Sequence, residues 1–311
     1  MTDLSIIVVS YNTQYLTAQC LRSIYESAGK VSFEIWVVDN NSSDGSADVV
    51  ERDFPDVHLI RNKDNKGLAA ATNQGLEQSR GRYAVALNSD TVILDSAFEK
   101  LVKFMDDHPD VGGVTPKLLL PDKSLHPWFV GNRPNLKSEL ADAFAPISKK
   151  LSAGIPELRF GKYTDPDRTQ EVPCILWGTC FLVRDEILKT VGLQDPRFFV
   201  YGEDTDWAMR IGEAGWKLFY FADAAIIHYG GQSTKQAGAR MSAQLCKSRS
   251  RLIQQHYGLW AGSMLRLAFA SLSMVWLLRW LPAYAFSSSS REKATDRISR
   301  NWAIIRAVLT Y

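Results

Sequence analysis

Residues 4–12, LSIIVVSYN, and residues 33–44, FEIWVVDNNSSD, decide the fold. Each is a short, β-branched apolar run that stops abruptly on a polar cluster. Between them Leu16, Cys20, Leu21, Ile24 and Tyr25 recur at helical spacing, so the order reads strand, loop, helix, strand. The unit then repeats. Ser43 or Asp44 is placed to cap a helix through Val49 and Val50, and Val57 to Ile60 reads as a third strand. Leu68 to Gln78 reads as a helix, and YAVAL at 83–87 as a fourth strand ending at Asn88-Ser89-Asp90. Strands that are apolar throughout, alternating with helices, predict a mostly parallel central sheet with helices on both faces.

In such sheets a ligand sits beyond the carboxyl ends of the strands, which is where the polar clusters 10–12, 39–44 and 88–90 fall. Neither a GxGxxG fingerprint nor a GxxxxGK[ST] loop follows the first strand, which argues against nicotinamide hydride transfer and P-loop phosphoryl transfer.

Beyond Leu94 the pattern predicts a helix over 96–107, a strand at GGVTP (112–116), and a polar stretch to about Asp167 that reads as a mobile acceptor-side segment. Regularity returns with PCILWGTCFLV (173–183), a helix from Asp185, FFVYGED (198–204), a helix to Ala214, and strands near 217–221 and 225–228. Gly230-Gly231 marks the end of the sheet.

Among 311 residues, 46% are hydrophobic and 23% charged, with 20 Gly and 12 Pro, a balance that excludes disorder, collagen and coiled coil. The four cysteines, at 20, 174, 180 and 246, form no CxxC pair, so a reducing compartment is expected. The start of the chain predicts no secretory leader. The net charge of +2 is unevenly spread. After Asp223 there are twelve basic and two acidic residues, so the tail carries +10 and residues 1–223 carry −8. Such a tail seeks an anionic partner. Leu267 to Leu278 is uncharged over twelve residues, roughly 18 Å of helix, shorter than the roughly 30 Å hydrocarbon core. With Arg279 and Pro282 beyond it, this stretch fits an interfacial or re-entrant helix, anchored by Trp260, Trp276, Trp280 and Tyr284, better than a span. Its Trp and Leu content favours lipid over nucleic acid. A core helix at an oligomer interface is the competing reading.

Single residues leave their roles open. Asp90 follows a buried strand, and a carboxylate there can hold Mg²⁺ or Mn²⁺ against phosphates, or simply cap a turn. Asp39 can accept a hydrogen bond from a pyrimidine N–H and Tyr11 can stack on a base, yet NSSD is also an ordinary turn. Asp206 and Arg210 are spaced for an intrahelical ion pair, which leaves Asp204 as a general base or a helix cap. His228 ends an apolar strand beside two glycines. His58, His108, His126 and His256 attract no reading of their own.

Taken jointly, SIIVVSYN, VVDNNSSDGS, NKGLAAATNQG, LNSD, WGTCFLVR, DPRFFVYGEDTDWAMRIGEAGWK and IIHYGGQS, in this order over residues 4 to about 234, resemble inverting glycosyltransferase family two, and most nearly its bacterial rhamnosyltransferase branch. The resemblance implies an α/β fold of GT-A type with a Rossmann-like sheet. It implies a catalytic domain over 1–234 and a basic, helical, membrane-associating region over 235–311. By position it assigns Ser10, Tyr11, Asn12, Asp39, Asn40, Gly67, Asn73, Asn88, Ser89 and Asp90 to the nucleotide-sugar, Trp177 and Gly178 to the acceptor, Asp204 to the catalytic base with Glu203 in support, and Asp90 with His228 to a divalent cation, Mg²⁺ or Mn²⁺. Asn88 stands where the family usually has the first carboxylate of Asp-x-Asp, so Asp90 carries that motif alone.

The implied reaction moves a sugar, L-rhamnose from dTDP-rhamnose or a sugar from a UDP donor, to a polyprenyl-diphosphate-linked glycan in cell-surface polysaccharide synthesis. The expected setting is the cytoplasmic face of the bacterial inner membrane, peripheral or monotopic on an anionic surface, without nucleic acid, with a homodimer as a candidate assembly. A nucleotidyltransferase would need a Gly-rich, basic loop after the first strand, which is lacking. A non-catalytic glycan-binding or membrane-scaffold protein is the alternative, against which the retained Gly-Glu-Asp segment argues.

Overall fold

In a computed structural model, residues 2–27, 29–126, 130–145, 165–231, 238–286 and 291–310 are described. Residues 127–129 and 146–164 of the polar stretch expected before Asp167, together with Gln232 and Ser233, lie outside these residues. The described residues group into two compact units. The first comprises those of Met1–Asn132, Lys162–Phe199 and Glu203–Ser233, and the second those of Arg133–Gly161, Val200–Gly202 and Thr234–Tyr311. Thus 133–145 and 200–202 group with the tail, a grouping that no composition shift in the sequence marks.

The first unit is built on one sheet. Strands β1 (Leu4–Ser10), β2 (Phe33–Asp39), β3 (His58–Arg61) and β4 (Tyr83–Asn88) are parallel and lie side by side in the order β3-β2-β1-β4. Leu4, Ile6, Ile7 and Val8 of β1 are all buried. Successive side chains of a strand point to opposite faces, so both faces of β1 are covered, as its continuous apolar run requires. The connections are α1 (Gln14–Ser27), α2 (Ser46–Asp53) and α3 (Leu68–Leu76).

Past β4 the sheet departs from pure parallel order. Strand β5 (Thr91–Ile93), helix α4 (Ala97–Asp107) and strand β6 (Val111–Leu119) come first, then the short strands β7 (Val130–Gly131), β8 (Gln170–Glu171) and β9 (Cys174–Ile175). Strand β10 (Cys180–Arg184) inserts antiparallel between β4 and β6, and the long β11 (Lys217–His228) runs parallel to β6 and antiparallel to β5. The single apolar run expected at 173–183 is therefore two strands, β9 and β10, with 176–179 between them. Of those four residues, Thr179 bonds the end of β4 through its carbonyl, which accepts from the Asn88 N–H, while Leu176 and Gly178 bond Thr205 and Asp204.

The expected side-chain cap of α2 takes another form. Gly45, left-handed at φ 84°, occupies the cap position, while Asp44 accepts from the Ser46 N–H (3.0 Å) and the Gln14 N–H (2.9 Å), tying the starts of two helices together. Asp206 and Arg210 form the expected ion pair at 2.8 Å within α7 (Glu203–Glu213), which follows the short α6 (Asp185–Thr190). Beside them Trp207 is fully buried, and its indole N–H donates to the Gly192 carbonyl.

The second unit is helical. It holds α5 (Leu136–Phe144), α8 (Gly238–Phe286) and α9 (Arg291–Leu309). Ile253, Ala261, Leu265, Phe269 and Val308 form its core, with Leu136 and Leu140 packed against them. Arg249 pairs with Glu139 and with Asp142 (2.6 Å) and lies over the Phe269 ring. Gly258, at φ 90° and ψ 168°, breaks the path of α8. Past the break, Trp260, Met264, Leu267, Ser271, Met274, Leu278 and Leu281 recur at steps of four and three residues, and all are exposed. Helix α8 is long and apolar enough to cross a membrane, and it holds six basic residues and no acidic ones. Trp276 and Trp280 are half-buried, with Arg279 over the first ring and Lys293 over the second.

Candidate active site

Strand register brings the polar tips together. Ser10 at the end of β1 lies opposite Asp39 at the end of β2, and Val9 lies opposite Asn88 at the end of β4. The buried hydroxyls of Ser10, Thr13 and Thr17 bond to one another, and Thr13 reaches the Ser89 hydroxyl at 3.1 Å. This network stitches the end of β1 to the turn after β4. Thr13 and Thr17 were not singled out in the sequence, although they stand three and seven residues after Ser10, just before and within the first turn of α1.

The nucleotide-side residues divide in two. Asp39 is buried; its Oδ2 accepts from the Ser42 N–H at 3.0 Å, while its Oδ1 is buried with no hydrogen-bond partner. A buried acceptor without a donor is costly, so Oδ1 is suited to a ligand N–H or O–H. Asn12 is left-handed (φ 51°) and its Oδ1 accepts from Ser43 N–H at 2.8 Å; Tyr11 beside it is half-buried. Asn40 works inward. Its amide donates to Asn65 Oδ1 (2.9 Å) and the Gly67 carbonyl (3.2 Å), and its oxygen accepts from Lys66 N–H (3.0 Å) and Asn62 Nδ2 (3.1 Å). Asn40 therefore shapes the 62–67 loop. Asn73 does the same at a distance, closing a two-bond pair with the backbone of Gln194 (2.7 and 3.1 Å). Gly67, at φ 87°, allows a close approach, because an added Cβ would meet the Phe199 carbonyl oxygen at 2.5 Å.

Asp90 and His228 meet. Strand β11 pairs with β5 so that His228 lies opposite Thr91, and Tyr229 N–H donates to the Asp90 carbonyl at 2.9 Å. The carboxylate Oδ1 is 3.3 Å from His228 Nε2. Both residues are buried, and neither imidazole nitrogen of His228 has a hydrogen-bond partner. An orphaned, buried imidazole facing a carboxylate fits a divalent cation of the kind that takes oxygen and imidazole ligands. No cluster of three or more His, Cys, Asp or Glu side chains that could hold a metal ion occurs among the described residues. Asn88 contributes through its backbone: its N–H donates to the Thr179 carbonyl (2.9 Å) and its carbonyl accepts from the Thr91 hydroxyl (2.8 Å).

The Asn88–Thr179 bond leads to the third group. Gly178 N–H donates to Asp204 Oδ2 at 2.6 Å, and Thr205 N–H donates to Oδ1 at 2.6 Å. A Cβ on Gly178 would stand 2.6 Å from the Asp204 Cβ, so the approach requires glycine. Burial raises the proton affinity of Asp204, and the two backbone donors hold part of that rise back. Glu203, at the start of α7, is buried with Oε2 unpartnered; burial first, and the neighbouring Asp204 charge second, push its carboxyl well above the usual range. Trp177, next to Gly178, is exposed, with its ring 5.3 Å from the ring of His126, which in turn is 5.4 Å from that of His228. His126, for which the sequence offered no signal, closes the belt: Asp39, Ser10, Thr13, Ser89, Asp90, His228, His126, Trp177, Gly178 and Asp204 follow one another by strand register, hydrogen bond, ion pair, ring contact or chain neighbourhood within one unit. A hollow lined by Arg22, Tyr25, Asp53, Phe54 and Asp56 includes none of these groups.

A family model described as Glycosyl transferase family 2 matches residues 5–192, more than half of the chain. The chain belongs to that family. This glycosyltransferase is 24% identical over 273 residues to an N-acetylglucosaminyl-diphospho-decaprenol L-rhamnosyltransferase of Mycobacterium tuberculosis, covering 84% of the chain and 87% of the relative. Its fold is similar to that of a mannosyltransferase from Pyrobaculum calidifontis in complex with GDP-Man and Mn²⁺, at TM-score 0.55 and 19% identity, covering 99% of this chain and 87% of the other. It is also similar to GalNAc-T7 with UDP, GalNAc and Mn²⁺, at TM-score 0.59 and 16% identity, covering 95% of this chain and 55% of the other. At these identities the structural likeness speaks for the GT-A fold alone. The expected mixed α/β sheet of GT-A type is the one observed.

Proposed function

We propose that this family-2 enzyme is an inverting glycosyltransferase that moves a sugar, L-rhamnose from dTDP-rhamnose, to a hydroxyl of a polyprenyl-diphosphate-linked glycan at the cytoplasmic face of the membrane. The observation that carries the reading is the belt that joins the Asp90–His228 pair to Asp204 through His126 and Trp177. One end of it suits a leaving diphosphate and the other an incoming alcohol. The mycobacterial relative supports the rhamnosyl donor and the lipid-linked acceptor.

The roles follow from charge and proton affinity. Asp39 Oδ1 accepts a donor group of the nucleoside, and Tyr11, directly after β1, supplies a stacking face for the base. Asp90 and His228 would hold a divalent cation, Mg²⁺ or Mn²⁺, which would supply charge neutralisation for the departing phosphates. Asp204, held by two backbone N–H groups, takes the proton of the acceptor hydroxyl, a step worth roughly a hundredfold to ten-thousandfold. The acceptor oxygen forms its bond to the anomeric carbon as the bond from that carbon to the phosphate oxygen breaks. The bonding pair leaves with the nucleoside diphosphate, and one displacement inverts the centre. Residues 1–234 do this work. The basic tail, with the exposed stripe from Trp260 to Leu281, holds the enzyme on an anionic bilayer where the acceptor diphosphate lies.

A thermal-shift screen of dTDP, UDP, GDP and their sugars, with and without Mn²⁺ or Mg²⁺, tests the donor assignment. Metal-dependent stabilisation greatest with dTDP and dTDP-rhamnose is expected. Stabilisation by GDP alone would overturn the donor, and none by any nucleotide would overturn the reading as a whole.

A further inference from the structure

His126 is the member of the belt that none of the family's motifs includes, and its surroundings give it a specific task. It follows the Leu119–Leu125 bridge beyond β6, where its N–H donates to the Leu118 carbonyl at 2.9 Å. That bond fixes the backbone, and the imidazole is 7% exposed. The ring meets the Trp177 indole at 70°, an edge-on contact in which the positive rim of one ring faces the negative face of the other. Trp177 itself is 47% exposed. A large indole left so open, directly before the glycine whose N–H bonds Asp204, presents a flat apolar surface one residue from that bond. An aromatic face of this kind suits the apolar C–H face of a pyranose ring.

The indole is anchored from two sides. Its backbone is tied through the Gly178 N–H to Asp204, and its ring rests on His126. The first anchor sets where Trp177 starts and the second sets where its ring points. On the reading of Asp204 as the base, we propose that His126 is a positioning residue that holds the Trp177 indole as the wall of the acceptor-sugar subsite. The contact with His228 makes the alternative, a role at the donor diphosphate, explicit and testable.

The test uses the full-length protein in detergent, with dTDP-rhamnose and a GlcNAc-diphospho-polyprenol as probes, and compares His126→Ala with His126→Phe. Loss of the edge-on contact in His126→Ala should raise the acceptor KM about tenfold, with kcat and the Mn²⁺-dependent affinity for dTDP changed by less than about threefold. His126→Phe restores an aromatic ring and should keep the acceptor KM within about threefold of wild type. An unchanged KM in His126→Ala, an equal loss in both variants, or a fall of dTDP affinity in both would each overturn the proposal. A second readout does not need turnover. In protein labelled with 5-fluorotryptophan, the Trp177 resonance, assigned with Trp177→Phe, should move in His126→Ala, and a resonance that stays in place would overturn the contact. A wild-type enzyme inactive with these probes would contradict the proposed function, while the resonance would still decide the role of His126.

Discussion

Glu203 and Asp204 are adjacent carboxylates at the start of one helix, and their environments separate them. Asp204 has two backbone N–H donors; Glu203 is buried with an unpartnered oxygen. In the unfolded chain Glu203 releases its proton near the ordinary carboxylate value of about 4.3, whereas in the fold it keeps the proton to higher pH. The folded state then holds more protons across that window, so Glu203 makes stability fall as pH rises through it. Glu203→Gln removes this dependence. Urea unfolding at pH 4 and pH 8 should show the variant gaining on wild type by about 1–3 kcal/mol as pH increases, and parallel stability curves would refute the buried-carboxylate account.

Among the elements, the strand tips were legible because their signal is local. LSIIVV must be covered on both faces, and the polar residues that end it must lie where the covering stops. The bonds of 176–179 to Asn88, Asp204 and Thr205 were not legible, because an apolar run such as PCILWGTCFLV has the same period whether it is one strand or two. His126 was hidden for a different reason: its partners Trp177 and His228 are distant in sequence, and only the antiparallel insertion of β10 and the register of β11 bring the three together. In the second unit, Arg249 illustrates a cost that sequence patterning cannot show. Glu139 is buried and paired to it, so Arg249→Met leaves a carboxylate without its counter-ion. Chemical denaturation should register a loss of about 3 kcal/mol, largely recovered when Glu139 is also replaced by Leu; no loss would mean the pair is solvated.

At the scale of the whole molecule, charge is partitioned along the chain: −8 before residue 224 and +10 after it. The acidic part contains the belt apart from His228, and the basic part carries the exposed apolar stripe. The membrane reading rests on that stripe, with its steps of four and three residues and its lack of acidic side chains. Leu267→Glu, Met274→Glu and Leu278→Glu together place three negative charges on it without touching the buried core residues Leu265 and Phe269. Co-sedimentation with vesicles containing phosphatidylglycerol should fall at least tenfold, roughly the effect expected when burial of three large apolar side chains is lost. Unchanged sedimentation would assign the stripe to contact with another protein surface.

The central claim is that Asp204 takes the proton of the acceptor while other residues hold the nucleotide. Asp204→Asn keeps the size, and its single carbonyl oxygen can keep one of the two backbone bonds, from Gly178 or from Thr205, but it removes the base, so the decisive measurement is sugar transfer by this variant alongside its Mn²⁺-dependent binding of dTDP. Transfer should drop by about a hundredfold to ten-thousandfold with nucleotide affinity nearly intact. Transfer at the wild-type rate would contradict the account.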